Sequence, residues 1–182
     1  MSDTTADVRY PIGKFEPQPY SEDLKNRWIN DIGFLPNDIE IAIQNFDEYQ
    51  LETPYREDGW TVRQLVHHVA DSHMNAYIRF KLALTEENPT IKPYEEGEWA
   101  KLPDTFQVPV NVSVTLLHAL HRRWTVINEN ISEDEFSSRT VFHPEHQKQI
   151  TLWHLLGMYA WHGKHHVAHI QKLKEQKGWS ER

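Results

Sequence analysis

Cysteine is absent from the 182 residues of the sequence, and this absence excludes several kinds of protein. Without cysteine there is no disulfide framework, no thiolate ligand for a metal and no cysteine nucleophile. Any metal must therefore bind to nitrogen or oxygen. A chain of this length can still bury a hydrophobic core without cross-links, so we expect a single domain over residues 1–182.

Basic charge and long apolar runs are also scarce. The chain has 27 acidic and 19 basic residues, a formal net charge of -8, and no basic stripe that could neutralise nucleic-acid phosphates. No segment approaches the roughly 20 apolar residues of a membrane helix, and the N-terminus lacks the basic start and apolar stretch of a secretory signal. We expect a cytoplasmic protein that binds neither nucleic acid nor a membrane.

Histidine, in contrast, is abundant, with 12 residues in the chain. Seven of the 12 fall in two short stretches, residues 67–73 and residues 162–169. Imidazole nitrogen is a common metal ligand, so the clustering is the first indication of a site.

Apolar residues recur at three- and four-residue steps in four segments, which predicts four amphipathic helices. The first helix covers about residues 22–46, with a kink or a break expected at Pro36. The second begins at Thr61, which is predicted to form a capping box with Gln64, and continues towards Glu87.

The third predicted helix covers about residues 113–131, and the fourth follows Thr151 and ends near Gly178. Each of the four helices must bury an apolar stripe, so the sequence predicts an all-α fold, a four-helix bundle. Residues 1–20 precede the bundle and are expected to pack on it.

Two connections are longer than a compact bundle requires. Residues 88–110 contain four prolines and are expected to form a long loop that crosses the end of the bundle between the second and third helices. Residues 132–150 contain two short β-prone pieces on either side of Pro144 and Glu145, which favours a small hairpin before the fourth helix.

A helical wheel at about 100° per residue places His166 within the apolar stripe of the fourth helix, with His162 and His169 on one flank. His165 is expected to point elsewhere. Because His162 and His166 are four residues apart, their imidazoles rise from the same side of adjacent turns and can converge on one ion. This HxxxH spacing supplies two ligands in many zinc sites.

The second helix offers candidates for a third ligand. His67 lies about 150° from the centre of the apolar arc and is expected to face water. His73 lies close to that centre and His68 on its flank, so periodicity leaves both as candidates and slightly favours His73. A buried histidine such as His73 can also be an ordinary core residue with a hydrogen bond, and the HxxxH pair could be a solvated stripe.

Four further histidines show no such convergence, and we interpret them as ordinary residues. They are His118, His121, His143 and His146. Two arginines, Arg63 and Arg79, could bind an anionic substrate group or could form surface ion pairs, and the sequence leaves both readings open.

Three stretches of the chain resemble the YfiT group of the DinB-like proteins. They are YPIGKF at 10–15, TPYREDGWTVRQLVHHVADSHMNAYIRFKLALTEE at 53–87 and WHGKHHVAHI at 161–170. The resemblance covers nearly the whole chain. It implies a four-helix bundle, a cytoplasmic homodimer and a metal-dependent hydrolase activity.

The resemblance also implies which histidines bind the metal. In that group the second histidine of the block WTVRQ(L/V)VHH is a ligand, which is His68 here, and the HxxxH ligands correspond to His162 and His166. His73 then becomes a buried neighbour of the ligands and stays the alternative to His68. Asp71 and His169 are further candidates for supporting the ligands, although Asp71 could simply be solvated.

Three neutral imidazoles without a thiolate suit zinc, nickel or iron(II), and we expect one divalent transition metal per subunit, with zinc as the default. Three protein ligands leave coordination positions open, and water bound there can have a pKa near 7, low enough to generate hydroxide at neutral pH. We therefore predict a metal-dependent hydrolase of a small-molecule substrate. No catalytic acid or base is identified from the sequence.

Two alternatives use the same site. A metal also lowers the pKa of a bound thiol, and some relatives of the group resemble bacillithiol-dependent S-transferases, so a low-molecular-weight thiol could be a partner. The second alternative is a metal-binding stress-response bundle without turnover.

Overall fold

The computed structural model describes residues 8–179, and within them four long helices form a bundle, as predicted. Four short helices and one hairpin lie in the connections. In chain order the elements are α1 (Glu22–Ala42), α2 (Glu48–Leu51), α3 (Val62–Thr85), α4 (Glu96–Trp99), α5 (Pro103–Gln107), α6 (Val110–Glu129), α7 (Glu133–Ser138), β1 (Thr140–His143), β2 (Lys148–Thr151) and α8 (Leu152–Lys177).

Local sequence determines where the long helices begin and end. Thr61 and Gln64 form the predicted capping box at the start of α3, each side chain accepting a hydrogen bond from the other residue's backbone N–H. The Thr151 side chain accepts from a backbone N–H at the start of α8, and Gly178 ends that helix in the left-handed conformation, at φ 64. Helix α1 continues through Pro36, so the proline does not split it.

The buried residues form two apolar clusters, one towards each end of the bundle. On α3 one cluster ends at Ala70 and the other begins at Ala76, and on α8 one ends at Ala160 and the other begins at Val167. The residues in between belong to neither cluster. His73 falls in the gap on α3, and His162, His165 and His166 fall in the gap on α8. A layer of histidines therefore crosses the bundle between two apolar clusters.

The connection between α3 and α6 contains α4 and α5, and the Gln64 side chain ties it to α3 by donating to the Ala100 carbonyl at 3.0 Å. The predicted hairpin is confirmed, since β1 and β2 pair antiparallel with Val141 opposite Ile150. The first strand also forms a parallel bridge from Phe142 to Thr90. Both long connections are thus anchored to the bundle.

The segment before α1 runs beside α8. The indole N–H of Trp153 donates to the Gln18 carbonyl at 2.7 Å, and that of Trp161 donates to the Gly13 carbonyl at 3.1 Å. Residues 1–7 of the expected N-terminal extension lie outside the described part of the chain. Within the described part, no helix combines the length and the apolar character of a membrane span.

Candidate metal centre

Three histidines from two helices meet at one point in the bundle. His68 lies on α3 and His162 and His166 on α8, and one ring nitrogen of each lies within 4.8 Å of the others. The Nε2 atoms of His162 and His166 are 3.1 Å apart. Nitrogens on a tetrahedral zinc at roughly 2.0–2.1 Å stand about 3.3 Å from one another. The spacing of the cluster therefore fits a divalent metal.

Burial keeps these imidazoles neutral. Desolvation lowers the pKa of His68 to about 4, and it lowers the pKa values of His162 and His166 well below the ordinary value of 6.5. The neighbouring histidines lower the pKa of His162 and of His166 further. A neutral ring has a lone pair to offer, which is the form that binds a metal.

His68 lacks the hydrogen-bond partner that a buried polar ring normally has. It is 5% exposed, and within residues 8–179 neither of its nitrogens makes a hydrogen bond. Its ring packs on Trp60, with 4.5 Å between the ring centroids. Because this ring lines an open cavity, its lone pair is free to bind a cation there.

His73, the alternative ligand, lies beside the cluster and outside it. Its side chain is fully buried, with both nitrogens engaged: Nδ1 is 3.1 Å from Nε2 of His121, and Nε2 is 3.2 Å from Nδ1 of His162. His73 therefore contacts one member of the cluster through a hydrogen bond.

Two predictions about single histidines are wrong. His67 does not face water: it is 8% exposed, and its Nδ1 lies 2.7 Å from Oγ of Ser113, because α5 and α6 cover that side of α3. His121 is not an ordinary residue, since it is 1% exposed and contacts His73. Its position four residues after Leu117, on the apolar stripe of α6, was a signal that could have identified it.

The other supporting candidates have different surroundings. His169 is 3% exposed and faces His165, with 3.2 Å between their Nε2 atoms. The half-buried Asp71 carboxylate makes no hydrogen bond to an imidazole within residues 8–179, so it orients none of them in this structure. Burial, and then the nearby Asp104, raise the pKa of Asp71 to about 6.

An open cavity of about 510 Å³ contains all three imidazoles of the cluster. Its walls include Trp60 and Trp161, the basic residue Arg56 and the carboxyl residues Asp58 and Glu96. Desolvation raises the pKa of Glu96, although the residue as a whole is exposed. This volume is large enough for a small organic molecule.

A second cavity, of about 490 Å³, shares Glu96, Trp161 and His162 with the first. Arg79 lines it and donates to the Tyr159 hydroxyl at 2.8 Å. Arg63, in contrast, is 6% exposed and pairs with Glu48 and Glu52. Of the two arginines singled out in the sequence, Arg63 thus joins α2 to α3, and Arg79 is the one that reaches a cavity.

Comparison with known proteins gives consistent matches. Residues 34–170 match the DinB superfamily. A protein of Bacillus cereus strain 03BB102 is 51% identical over 174 residues, which cover 95% of this chain and 99% of that protein. A protein of Bacillus thuringiensis subsp. konkukian strain 97-27 has the same identity and coverage. Both proteins are named metal-dependent hydrolases, and both names mark that activity as inferred.

The fold also matches a solved structure, YfiT from Bacillus subtilis. The TM-score is 0.92 at 45% sequence identity, over 95% of this chain and 99% of that one. That protein is described as a metal-dependent hydrolase by inference, with an unusual four-helix bundle topology. Similarity in sequence thus extends to the arrangement of the helices.

Proposed function

This chain belongs to the DinB superfamily, and from that premise we propose that it is a metal-dependent hydrolase of a small-molecule substrate. The observation that carries the proposal is the cluster of three neutral imidazoles within 4.8 Å of one another in an open cavity. The names of the similar proteins support it.

The proposed ligands are His68, His162 and His166, holding one divalent transition metal per subunit. Zinc is the default, with nickel and iron(II) as alternatives, because neutral imidazoles suit all three. Three protein ligands leave room for water or substrate. When bound, such a metal supplies Lewis acidity, which polarises a carbonyl and makes water acidic near neutral pH.

Side chains of the cavity would position the substrate and accept protons. Trp60 and Trp161 offer aromatic surfaces for apolar parts of a substrate. The Arg56 guanidinium lines the same cavity and can pair with an anionic group of the substrate. Asp58 and Glu96 are the carboxyl groups of this cavity that can accept a proton.

The ligand set is tested by the metal content of alanine variants. His68→Ala, His162→Ala and His166→Ala should each lose stoichiometric metal, whereas the exposed His118→Ala should keep it. The metal should stabilise the folded protein by about 2.7 kcal/mol at 100 times its dissociation constant, an increment absent from the three ligand variants. Full metal occupancy in His162→Ala or His166→Ala would contradict the proposed site. Full metal occupancy in His68→Ala would favour His73 as the third ligand.

A thiol S-transferase is the second candidate, since the first cavity has room for a low-molecular-weight thiol beside Arg56. To separate the activities, metal-loaded protein is incubated with activated esters and amides, and separately with a thiol and an electrophile. The proposed function predicts metal-dependent hydrolysis without thiol. Conjugate formation at catalytic rates would replace it with the transferase, and turnover in neither assay would leave a metal-binding bundle.

We also propose that the protein acts as a cytoplasmic homodimer, as the family resemblance implies. Cell fractionation tests the location, and the molar mass in solution tests the assembly.

A further inference from the structure

Four groups, one from each long helix, form a continuous chain of hydrogen bonds. The Ile32 carbonyl on α1 lies 2.5 Å from Nδ1 of His121 on α6. The chain continues from His121 to His73 on α3 at 3.1 Å and from His73 to His162 on α8 at 3.2 Å. It ends 3.1 Å from His166, at the cluster of proposed ligands.

Its first acceptor is available because of Pro36. In an α-helix the Ile32 carbonyl would accept from the N–H of residue 36, but proline has no N–H. The free carbonyl instead accepts from His121. The proline inside α1 thus has a structural consequence in another helix.

The direction of every hydrogen bond follows from this first acceptor. A carbonyl only accepts, so the proton of His121 is on Nδ1, and its Nε2 carries the lone pair. His73 must then donate from Nδ1 and accept at Nε2. His162 in turn donates from Nδ1, which leaves the lone pair of its Nε2 facing His166.

Both intermediate rings are buried, His73 completely and His121 with 1% of its surface exposed. Water cannot replace either partner without displacing the core. A reversed tautomer of His162 would set two N–H groups or two lone pairs against each other somewhere along the chain.

We propose that His121 and His73 are positioning residues, which hold His162 in the tautomer whose Nε2 can bind a metal. The tautomer is set only when all four long helices are assembled, since each contributes one group. The proposal rests on the proposed function only in taking His162 as a ligand.

The other two proposed ligands provide an internal comparison. Nδ1 of the buried His166 has no hydrogen-bond partner, and His68 makes no hydrogen bond within residues 8–179. His162 is therefore the member of the cluster whose tautomer is set by a hydrogen bond to a residue outside the cluster.

The first test is the protonation of ring nitrogens in the metal-free protein, measured by two-bond ¹H–¹⁵N NMR with labelled histidine. His162 and His73 should each show a proton on Nδ1 and a lone pair on Nε2. In His121→Leu and in His73→Leu this single tautomer of His162 should be lost. A proton on Nε2 of His162 in the unmodified protein would overturn the proposal.

The second test is metal affinity, measured with zinc by competition against a chelator. His73→Leu should weaken binding by about 10–100-fold, the usual effect of losing a partner of a metal-ligating histidine. His73→Gln should recover most of the affinity, since its amide oxygen can accept from Nδ1 of His162. His67→Leu, a buried histidine of the same helix outside the chain, is the matched control and should bind normally.

The two proposals fail in different ways. Absence of zinc binding in the unmodified protein would defeat the metal site while the NMR measurement still decides the tautomer. The positioning role alone would be wrong if folded His73→Leu bound zinc with unchanged affinity while the three ligand variants did not bind zinc.

Discussion

Histidine burial determines which rings of this protein carry charge. His121 is an example away from the proposed ligands: desolvation lowers its pKa to about 4, an effect that its hydrogen bond to the Ile32 carbonyl opposes. Removal of such a ring from water disfavours the imidazolium. The neutral state of His121 is therefore a consequence of its burial in the bundle.

The metal-free protein should lose stability as the pH falls from 7 to 5. The unfolded chain protonates His121 near pH 6.5, whereas the folded chain does so only near pH 4, so protons favour unfolding in this window. This one side chain should lower the free energy of unfolding by about 2 kcal/mol between these two pH values. Denaturant titrations of chelator-treated protein measure the change.

His121→Asn removes the titrating ring but keeps a donor for the Ile32 carbonyl. Its stability should therefore depend less on pH, by about 2 kcal/mol over the same interval. His118→Asn, at an exposed position of the same helix, should keep the pH dependence of the unmodified protein. If the stability of His121→Asn varied with pH as much as that of the unmodified protein, the His121 ring would have to be protonated in the folded protein as easily as in the unfolded chain.

At the scale of helices, close approach of α1 and α8 depends on glycine. A methyl group at Gly163 would lie 2.4 Å from Cδ2 of Leu35, and one at Gly157 would lie 2.7 Å from Cη2 of Trp28. Gly163 directly follows His162. The approach of α1 thus helps to set the position of α8 at the metal-ligand cluster.

Gly163→Ala should destabilise the protein. Alanine favours a helix by about 1 kcal/mol over glycine, but overpacking against the buried Leu35 costs about 1–3 kcal/mol, so we expect a net loss of up to about 2 kcal/mol. Denaturant unfolding measures it. Gly97→Ala is the control, since a methyl group there meets no heavy atom within 4 Å. If Gly163→Ala were at least as stable as the unmodified protein, the predicted overpacking against Leu35 would be contradicted.

The helices themselves were largely predictable, because their signals are local. The capping box at Thr61, the cap at Thr151 and the glycine at 178 each act within a few residues of the chain. The break expected at Pro36 does not occur. The Ile32 carbonyl, which has no N–H partner at Pro36, instead accepts from His121 on α6, and α1 continues. The water-facing prediction for His67 was wrong because another helix covers it.

At the scale of the molecule, α1 and α6 pack antiparallel and leave an exposed apolar surface. Glu40 pairs with His118 at 3.5 Å, and Gly33 lies beside Thr125, which sets the helix direction. We call this surface the α1–α6 face. Its large exposed apolar residues are Phe34 at 63%, Ile41 at 58%, Val112 at 52%, Leu116 at 43% and Val126 at 44% of their surface.

The proposed homodimer should use the α1–α6 face. Phe34→Glu combined with Ile41→Glu should convert a dimer to a monomer of 21.6 kDa, because it places charge in an apolar interface. Light scattering coupled to size-exclusion chromatography measures the mass. Ile78→Glu, an exposed apolar position on α3, is the control and should remain dimeric. A double variant that stays dimeric would exclude this face.

The sequence by itself determined the four helices, their caps and the pairing of His162 with His166. These features depend on the 3.6-residue repeat and on hydrogen bonds within one segment. Periodicity could not decide between His68 and His73, and it gave no role to His121. Those outcomes depend on the rotation and register of one helix against another, which the packing of side chains across the bundle decides and no single helix encodes.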